Sequence, residues 1–406
     1  MLVEYQQRRL NVENNLDNKF DRVHIMEKLL YLAQTDLADQ SSGVSVKVLS
    51  QLNALKRMVT SVDCLCYNKS KISLYNGNSR IFKDYQLNYV QRYMPRRYAF
   101  WNIAKHIVKQ NDYSIIYIRY PFFDGLVLSA LKNAKRKEKC RIILEVQTYP
   151  LNNEIMKGIK RFNYIIDSLY QKKVMGLIDN TVYVGDKTEK VLGKPAIRIP
   201  NGIPDNLFHI QNSRYKKDNK IINLVAVSIM TPSHGYDRLI KGLHNYYNKK
   251  SEDKRRVDFY LVGGGTCLKE YINLTNEYKL DKYVHFTGFL RGKELDEIYK
   301  LASLGVGCLG LYRNGHQACS ALKTKEYLIR GIPFIVAGEE IGISNKFKYM
   351  LNIPNDSSDV DIDEILKFNA RIEKEDQEFI AKEMKKFAIE NFKWDIIFKR
   401  VFEELI

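Results

Sequence analysis

Short apolar runs alternate with longer amphipathic runs twice over along the 406 residues of this chain, and the doubled alternation limits the fold more than any other feature. In the first half, residues 29–33, 114–119, 141–146 and 180–184 read as buried strands, with helices over 44–57, 93–110 and 122–133. The run IRIPNGIPD at 197–205, rich in Pro and Asn-Gly, interrupts the pattern. It then restarts, with strands over 222–228, 258–262, 284–287 and 304–309 and helices over 237–247, 266–278 and 294–302. Strand–helix–strand units of this kind build parallel, doubly wound sheets. Two such blocks predict two Rossmann-like α/β lobes facing a cleft, a first lobe over 26–205 and a second over 206–388. A charged linker is expected at 213–220 and a last amphipathic helix within 389–406.

Composition narrows the class. Hydrophobic residues make up 45% and charged residues 28%, as in ordinary globular proteins, and no stretch approaches the ~18 apolar residues of a membrane helix. Residues 1–25 are polar, without period or the apolar core of a signal peptide, and read as an extension upstream of a natural start at Met26. Six cysteines without Cys-x-x-Cys or His/Cys spacing suggest reduced thiols rather than disulfides or zinc. A net charge of +18 calls for an anionic partner. Nucleic acid is not expected, because the basic residues are dispersed and no helix-turn-helix, zinc-finger or RNA-binding signature occurs. An anionic membrane surface, where each Lys or Arg contributes about 1 kcal/mol, is the other candidate. The basic, aromatic stretch 157–171 fits such a surface and fits packing on the sheet equally well.

Most of the chemistry lies in HQACSALKTKEYLIRGIPF, residues 316–334. Ser320 is expected as a helix N-cap, 321–330 as a short helix, Gly331 as its C-terminal turn and 333–337 as a core strand. A helix start presents unpaired N–H groups and partial positive charge, which suit a phosphate. Glu326 and Arg330 are spaced as an i,i+4 pair. The segment ALKTKEYL followed by GIP resembles the nucleotide-sugar motif of the family-4 (group 1) glycosyltransferases. EVQTYP at 145–150 resembles a motif of transferases from cell-surface and capsular polysaccharide clusters, as does HGYDR at 234–238. Asn201-Gly202 resembles the junction between that family's lobes.

The resemblance implies the GT-B architecture, with the donor diphosphate on the amides of Ser320, Ala321 and Leu322 and the ribose hydroxyls on Glu326. It implies that Lys323, His234 and Arg238 stabilise the departing phosphate, and that Gly43, Gly264, Gly288, Phe289 and His316 line the donor side. Glu145, Thr148, Tyr149 and Arg119 would face the acceptor. Read from the residues alone, His234 is a loop histidine, Lys323 a solvated partner of Glu326, and Arg238 a partner of a carboxylate or of solvent. Two departures stand out: Ala318 occupies the place of a motif glutamate, and Val227-Ser228 replaces a Gly-Arg. The implied reaction is retaining transfer of a hexose from a UDP- or GDP-sugar to a lipid-linked or glycan acceptor, with no metal and no further cofactor. The protein would be cytoplasmic, peripheral on the inner membrane face. The departures leave open a non-catalytic partner subunit or chaperone of an active transferase.

Overall fold

The computed structural model describes residues 25–39, 42–76, 81–85, 96–151, 159–210, 221–249 and 254–405. Its first sheet is built from β1 (Ile25–Asp36), β2 (Val59–Asn68), β3 (Lys71–Tyr75), β4 (Ile81–Tyr85), β5 (Ile115–Arg119), β6 (Arg141–Tyr149) and β7 (Asn180–Gly185). After a small hairpin of β8 (Lys190–Val191) and β9 (Lys194–Pro195), β10 (Ile197–Arg198) completes it. The strand order is β10-β7-β6-β5-β1-β2-β3-β4, parallel except where β3 pairs with β2 and β4. Successive side chains of a strand point to opposite faces, and both faces here are covered, which is why the apolar runs show no alternation. Leu30 and Leu32 meet the layer of α2 (Arg96–Gln110), α3 (Gly125–Ala134) and α4 (Ile159–Met175) through Phe100, Val127 and Val174. Leu29 and Tyr31 meet α1 (Gly43–Met58) through Val48, Leu52 and Leu55.

The second sheet contains β11 (Ile221–Ile229), β12 (Arg256–Gly264), β13 (Val284–Gly288), β14 (Leu304–Val306), β16 (Phe334–Ala337) and β18 (Met350–Ile353). Its order is β13-β12-β11-β14-β16-β18, all parallel. Two short strands, β15 (Ala318–Cys319) and β17 (Glu339–Glu340), pair beside it. The helices of this half are α5 (Tyr236–Asn248), α6 (Leu268–Glu277), α7 (Lys293–Leu301), α8 (Leu322–Arg330), α9 (Ile362–Ile372) and α10 (Gln377–Phe392). The last helix, α11 (Trp394–Leu405), leaves this half and buries Trp394, Ile397, Phe398, Val401 and Phe402 in the first-lobe core beside α1. The two passages of the chain between the lobes lie side by side, with the Ile203 N–H donating to the Phe392 carbonyl at 2.8 Å. Trp394 covers Gly202 so closely that a Cβ there would stand 2.7 Å from its ring.

The expected pair of doubly wound lobes is present. Two local expectations are corrected. The first strand runs well beyond residues 29–33 at both ends. The helix expected from residue 122 starts at Gly125, because the Asp124 carboxylate accepts from the Leu126 and Val127 amides and fixes the start there. Of the expected extension at 1–25, residues 1–24 lie outside the described residues, as do the linker at 213–220 and the side chains at 157–163, whereas Ile25 already belongs to β1. All six cysteines are free thiols.

Candidate functional site between the lobes

In a parallel sheet the loops after the strands gather at one end, and these loops form the rim of the first lobe. After β1, Gly43 opens α1 directly against the second lobe; a methyl group there would stand 3.2 Å from Leu322 Cδ1. After β7, the Asp186 carboxylate accepts from the backbone N–H groups of Gln317 and Ala318 at 2.8 and 2.7 Å. Arg198 makes a two-pronged bond to Glu339 at 2.7 and 3.0 Å. The Asn201 N–H donates to the Ser320 hydroxyl at 2.8 Å, and its side-chain amide to the Ser320 carbonyl at 2.6 Å. The start of α8 is thus suspended from the first lobe by Asp186, Arg198 and Asn201; the sequence marked Asn201-Gly202 as a junction, but nothing in it singled out Asp186 or Arg198.

Ser320 does not cap the helix, contrary to expectation: α8 starts at Leu322 with Ala321 in the capping position, and the serine hydroxyl is turned to Asn201. The Ala321 N–H is already taken by Glu340, 3.1 Å away, whose buried carboxylate also holds Lys325 at 2.5 Å. The first-turn amides of Leu322, Lys323 and Thr324 precede any carbonyl their own helix could offer, so the helix itself does not satisfy them. Lys323 lies beside them, its ammonium donating to the Tyr236 hydroxyl at 2.7 Å and lying over that ring. His234 belongs to the same corner: its Nδ1 accepts from the Thr231 N–H at 3.1 Å, which leaves the proton on Nε2. Burial, and after it the charge of Lys323, push its imidazolium down to about 2, so in the free protein the ring is neutral. His234 therefore offers a hydrogen bond here, not the positive charge expected of it.

Arg238 is also corrected. Only 1% exposed, its guanidinium donates to the carbonyls of Leu309, Pro354 and Ser358 and ties the loop at 354–358 to the segment after β14. It also stands 3.6 Å from the Asp356 carboxylate, the kind of partner that the residues alone gave it. Glu326 makes the expected i,i+4 bond to Arg330 at 3.0 Å and remains a fifth exposed. His316 is mostly buried, with Nδ1 3.7 Å from Asp186. Gly264 is overlain by the ring of Phe289, 2.9 Å from where a Cβ would be, while Phe289 and Ile229 are both largely exposed. Gly288 is left-handed at φ 71° with open space around it.

On the first lobe, Glu145 is no acceptor contact. Fully buried, it receives Lys47 at 2.8 Å, Arg119 at 3.3 Å, the Tyr117 hydroxyl at 2.8 Å and the Gln51 amide at 2.9 Å. Burial would raise its carboxyl, but the charges of Lys47 and Arg119 outweigh that and hold it at about 2. Arg119 is consumed with it. Thr148 is exposed, and Tyr149 is half-buried with its ring edge-on to Tyr183. Of the expected donor residues, Gly43 meets Leu322, Lys323 and His234 both meet Tyr236, and Gly264 and Phe289 pack on each other; the expected acceptor residues divide into a buried knot and an exposed strand end.

No protein-family model matches the sequence, and no curated protein matches it. Solved structures do. Anabaena HepE in complex with UDP shares 13% identity over 93% of this chain and 99% of its own, with a TM-score of 0.59. Sucrose-phosphate synthase from Thermosynechococcus elongatus shares 14% over 93% and 99%, with a TM-score of 0.60. A glycosyltransferase from Rickettsia africae ESF-5 shares 12% over 94% and 98%, with a TM-score of 0.61. The fold is GT-B. At these identities the likeness extends to the fold alone.

Proposed function

We propose that this GT-B protein transfers a hexose from a nucleoside diphosphate sugar, UDP- or GDP-linked, to a lipid-linked or glycan acceptor in surface polysaccharide synthesis. The observation that carries this reading is the meeting of two helix starts across the cleft, Gly43 against Leu322, with Lys323 and His234 beside the second. The diphosphate rests on the amides of Leu322, Lys323 and Thr324, Lys323 supplies the full charge, and His234 donates from Nε2. Glu326 keeps its bond to Arg330 and accepts from the ribose, while the base lies against Gly264, Phe289 and Ile229. Fixed amides and the ammonium meet the charge that develops on the leaving phosphate, so no metal is invoked. Retention follows when that phosphate takes the acceptor's proton on the face it leaves, which requires no pair of carboxylates. HepE, solved with UDP and with UDP-glucose, supports the choice of donor.

Isothermal titration with a panel of nucleotide sugars tests the donor site. One of them binds saturably, and Glu326→Ala weakens it tenfold or more, since a hydrogen bond to a charged group contributes ~1.5–3 kcal/mol. Binding that Glu326→Ala leaves unchanged removes the ribose assignment. Binding without turnover favours the non-catalytic partner, a reading kept in view by Ala318 and by the occupied Arg238.

A membrane-bound acceptor is supported by the outer face of α4, where Ile165 and Leu169 are exposed in line with Lys172 and Lys173. Among the described residues no helix is long and apolar enough to cross a membrane, so contact would be peripheral. The protein is expected to sediment with phosphatidylglycerol vesicles and Ile165→Asp/Leu169→Asp to stay in solution; equal sedimentation of both would remove the patch from consideration.

A further inference from the structure

Four non-glycine residues in the described structure have left-handed backbone, and three are ordinary: Lys69 turns β2 into β3, Leu192 turns β8 into β9, and Lys279 follows the end of α6. The fourth is Phe122, at φ 59°, in the loop Tyr120–Asp124 that carries β5 into α3. A bulky aromatic is costly in that conformation and keeps it only where its surroundings over-determine the loop. They do so from three helices. Arg97 of α2 donates to the carbonyls of Pro121 and Phe122 and to the Asp124 carboxylate at 2.7 Å. Asp167 of α4 accepts from the Phe123 N–H and, at 2.7 Å, from the Tyr120 hydroxyl. Asp124 is itself held by the first amides of α3. The Phe122 ring, half-buried, stands 5.5 Å from the Tyr120 ring at a tilt of 51°, forming an aromatic corner whose one hydroxyl is already satisfied.

The position of this loop gives the corner its use. In the sheet β5 and β6 lie between β7 and β1, and the loops after β7 and β1 both touch the second lobe. The loop after β5 therefore stands on the same rim, on the lobe that does not carry the diphosphate corner. We propose that Phe122, backed by Tyr120, selects the acceptor by packing its ring against the apolar C–H face of an acceptor pyranose. This deepens the transferase reading and rests on it. The held backbone and the satisfied polar groups leave the loop nothing to offer but aromatic faces, which suit the flat, hydrogen-bearing side of a sugar.

The test uses the full chain saturated with UDP, with octyl β-D-glucopyranoside and octyl β-D-galactopyranoside as probes below their micelle concentrations. Phe122→Gly removes the ring and places there the residue that prefers this backbone, so its Tm should be equal to or above that of the wild type. Saturation-transfer NMR should show one probe binding the wild type through its ring protons and binding Phe122→Gly about tenfold more weakly, the scale of one aromatic contact. Phe122→Trp should retain binding, and UDP affinity should be the same in all three. Equal probe binding by wild type and Phe122→Gly overturns the proposal. So does UDP binding without any probe binding in the wild type. Failure to bind either UDP or GDP would instead overturn the transferase reading beneath it.

Discussion

His234 shows how burial decides what a residue can contribute. Its ring is enclosed and faces the Lys323 ammonium, so the folded protein refuses a second proton down to about pH 2. The unfolded chain accepts that proton near pH 6.5, so stability falls as pH drops below 6.5, by up to about 1.4 kcal/mol per pH unit. His234→Gln removes the titration, and its Tm should decline less steeply than that of the wild type between pH 6.5 and 4.5. Parallel curves would show that the ring is not held neutral. The same comparison explains which site residues were legible in sequence. Glu326 was, because its partner Arg330 lies one turn along the same helix, whereas the Lys323 ammonium bonds Tyr236, 87 residues away. Arg238 and Glu145 were misjudged because what satisfies them comes from elsewhere: the Arg238 carbonyls lie 71 to 120 residues away, and the Gln51 amide on Glu145 lies 94 residues away. A charge at a strand end reads as a ligand contact until its distant partner is seen.

Elements were legible where periodicity speaks and blurred where capping does. The apolar spacing of PFFDGLVLSALKNA carries a helix back to residue 122, yet the bond from Asp124 to two amides stops it at Gly125 and leaves Phe122 in a held loop. Aspartate ahead of an apolar run was the available signal. Likewise Ser320 had the chemistry of a cap and was drawn off by Asn201 in the other lobe, a contact that no local pattern encodes. The element that places Gly43 is α1, and Glu145 pins it: Lys47 and Gln51 project from that helix onto a carboxylate supplied by β6. Glu145→Gln leaves Lys47 and Arg119 buried without a counter-charge, which costs ~3–5 kcal/mol. Urea unfolding followed by circular dichroism should show a loss of this size; a loss below ~1 kcal/mol would mean that Trp394, whose ring lies 5.6 Å from the Lys47 ammonium, and the nearby tyrosines carry the charge instead.

At the scale of the molecule, the order of the chain and the packing of the lobes disagree in one place, and the disagreement is testable. The last helix follows the second lobe in sequence but supplies the first lobe with Trp394, Ile397, Phe398, Val401 and Phe402, all nearly or fully buried. Burying one such side chain contributes ~1.5–3 kcal/mol, so the five together contribute roughly 8–15 kcal/mol as an upper bound. That equals the whole stability of a typical domain, about 5–15 kcal/mol. A chain ending at Lys393 keeps α10 and the second-lobe core intact, but it strips the α1 side of the first sheet. Limited proteolysis should then degrade the first lobe while a fragment spanning the second resists, and a synthetic peptide of residues 394–405 should restore protection to the first lobe. A truncated chain that resists protease throughout and melts within a few degrees of the full one would show that α1 alone closes that face of the sheet, and that the returning helix is an attachment rather than part of the core.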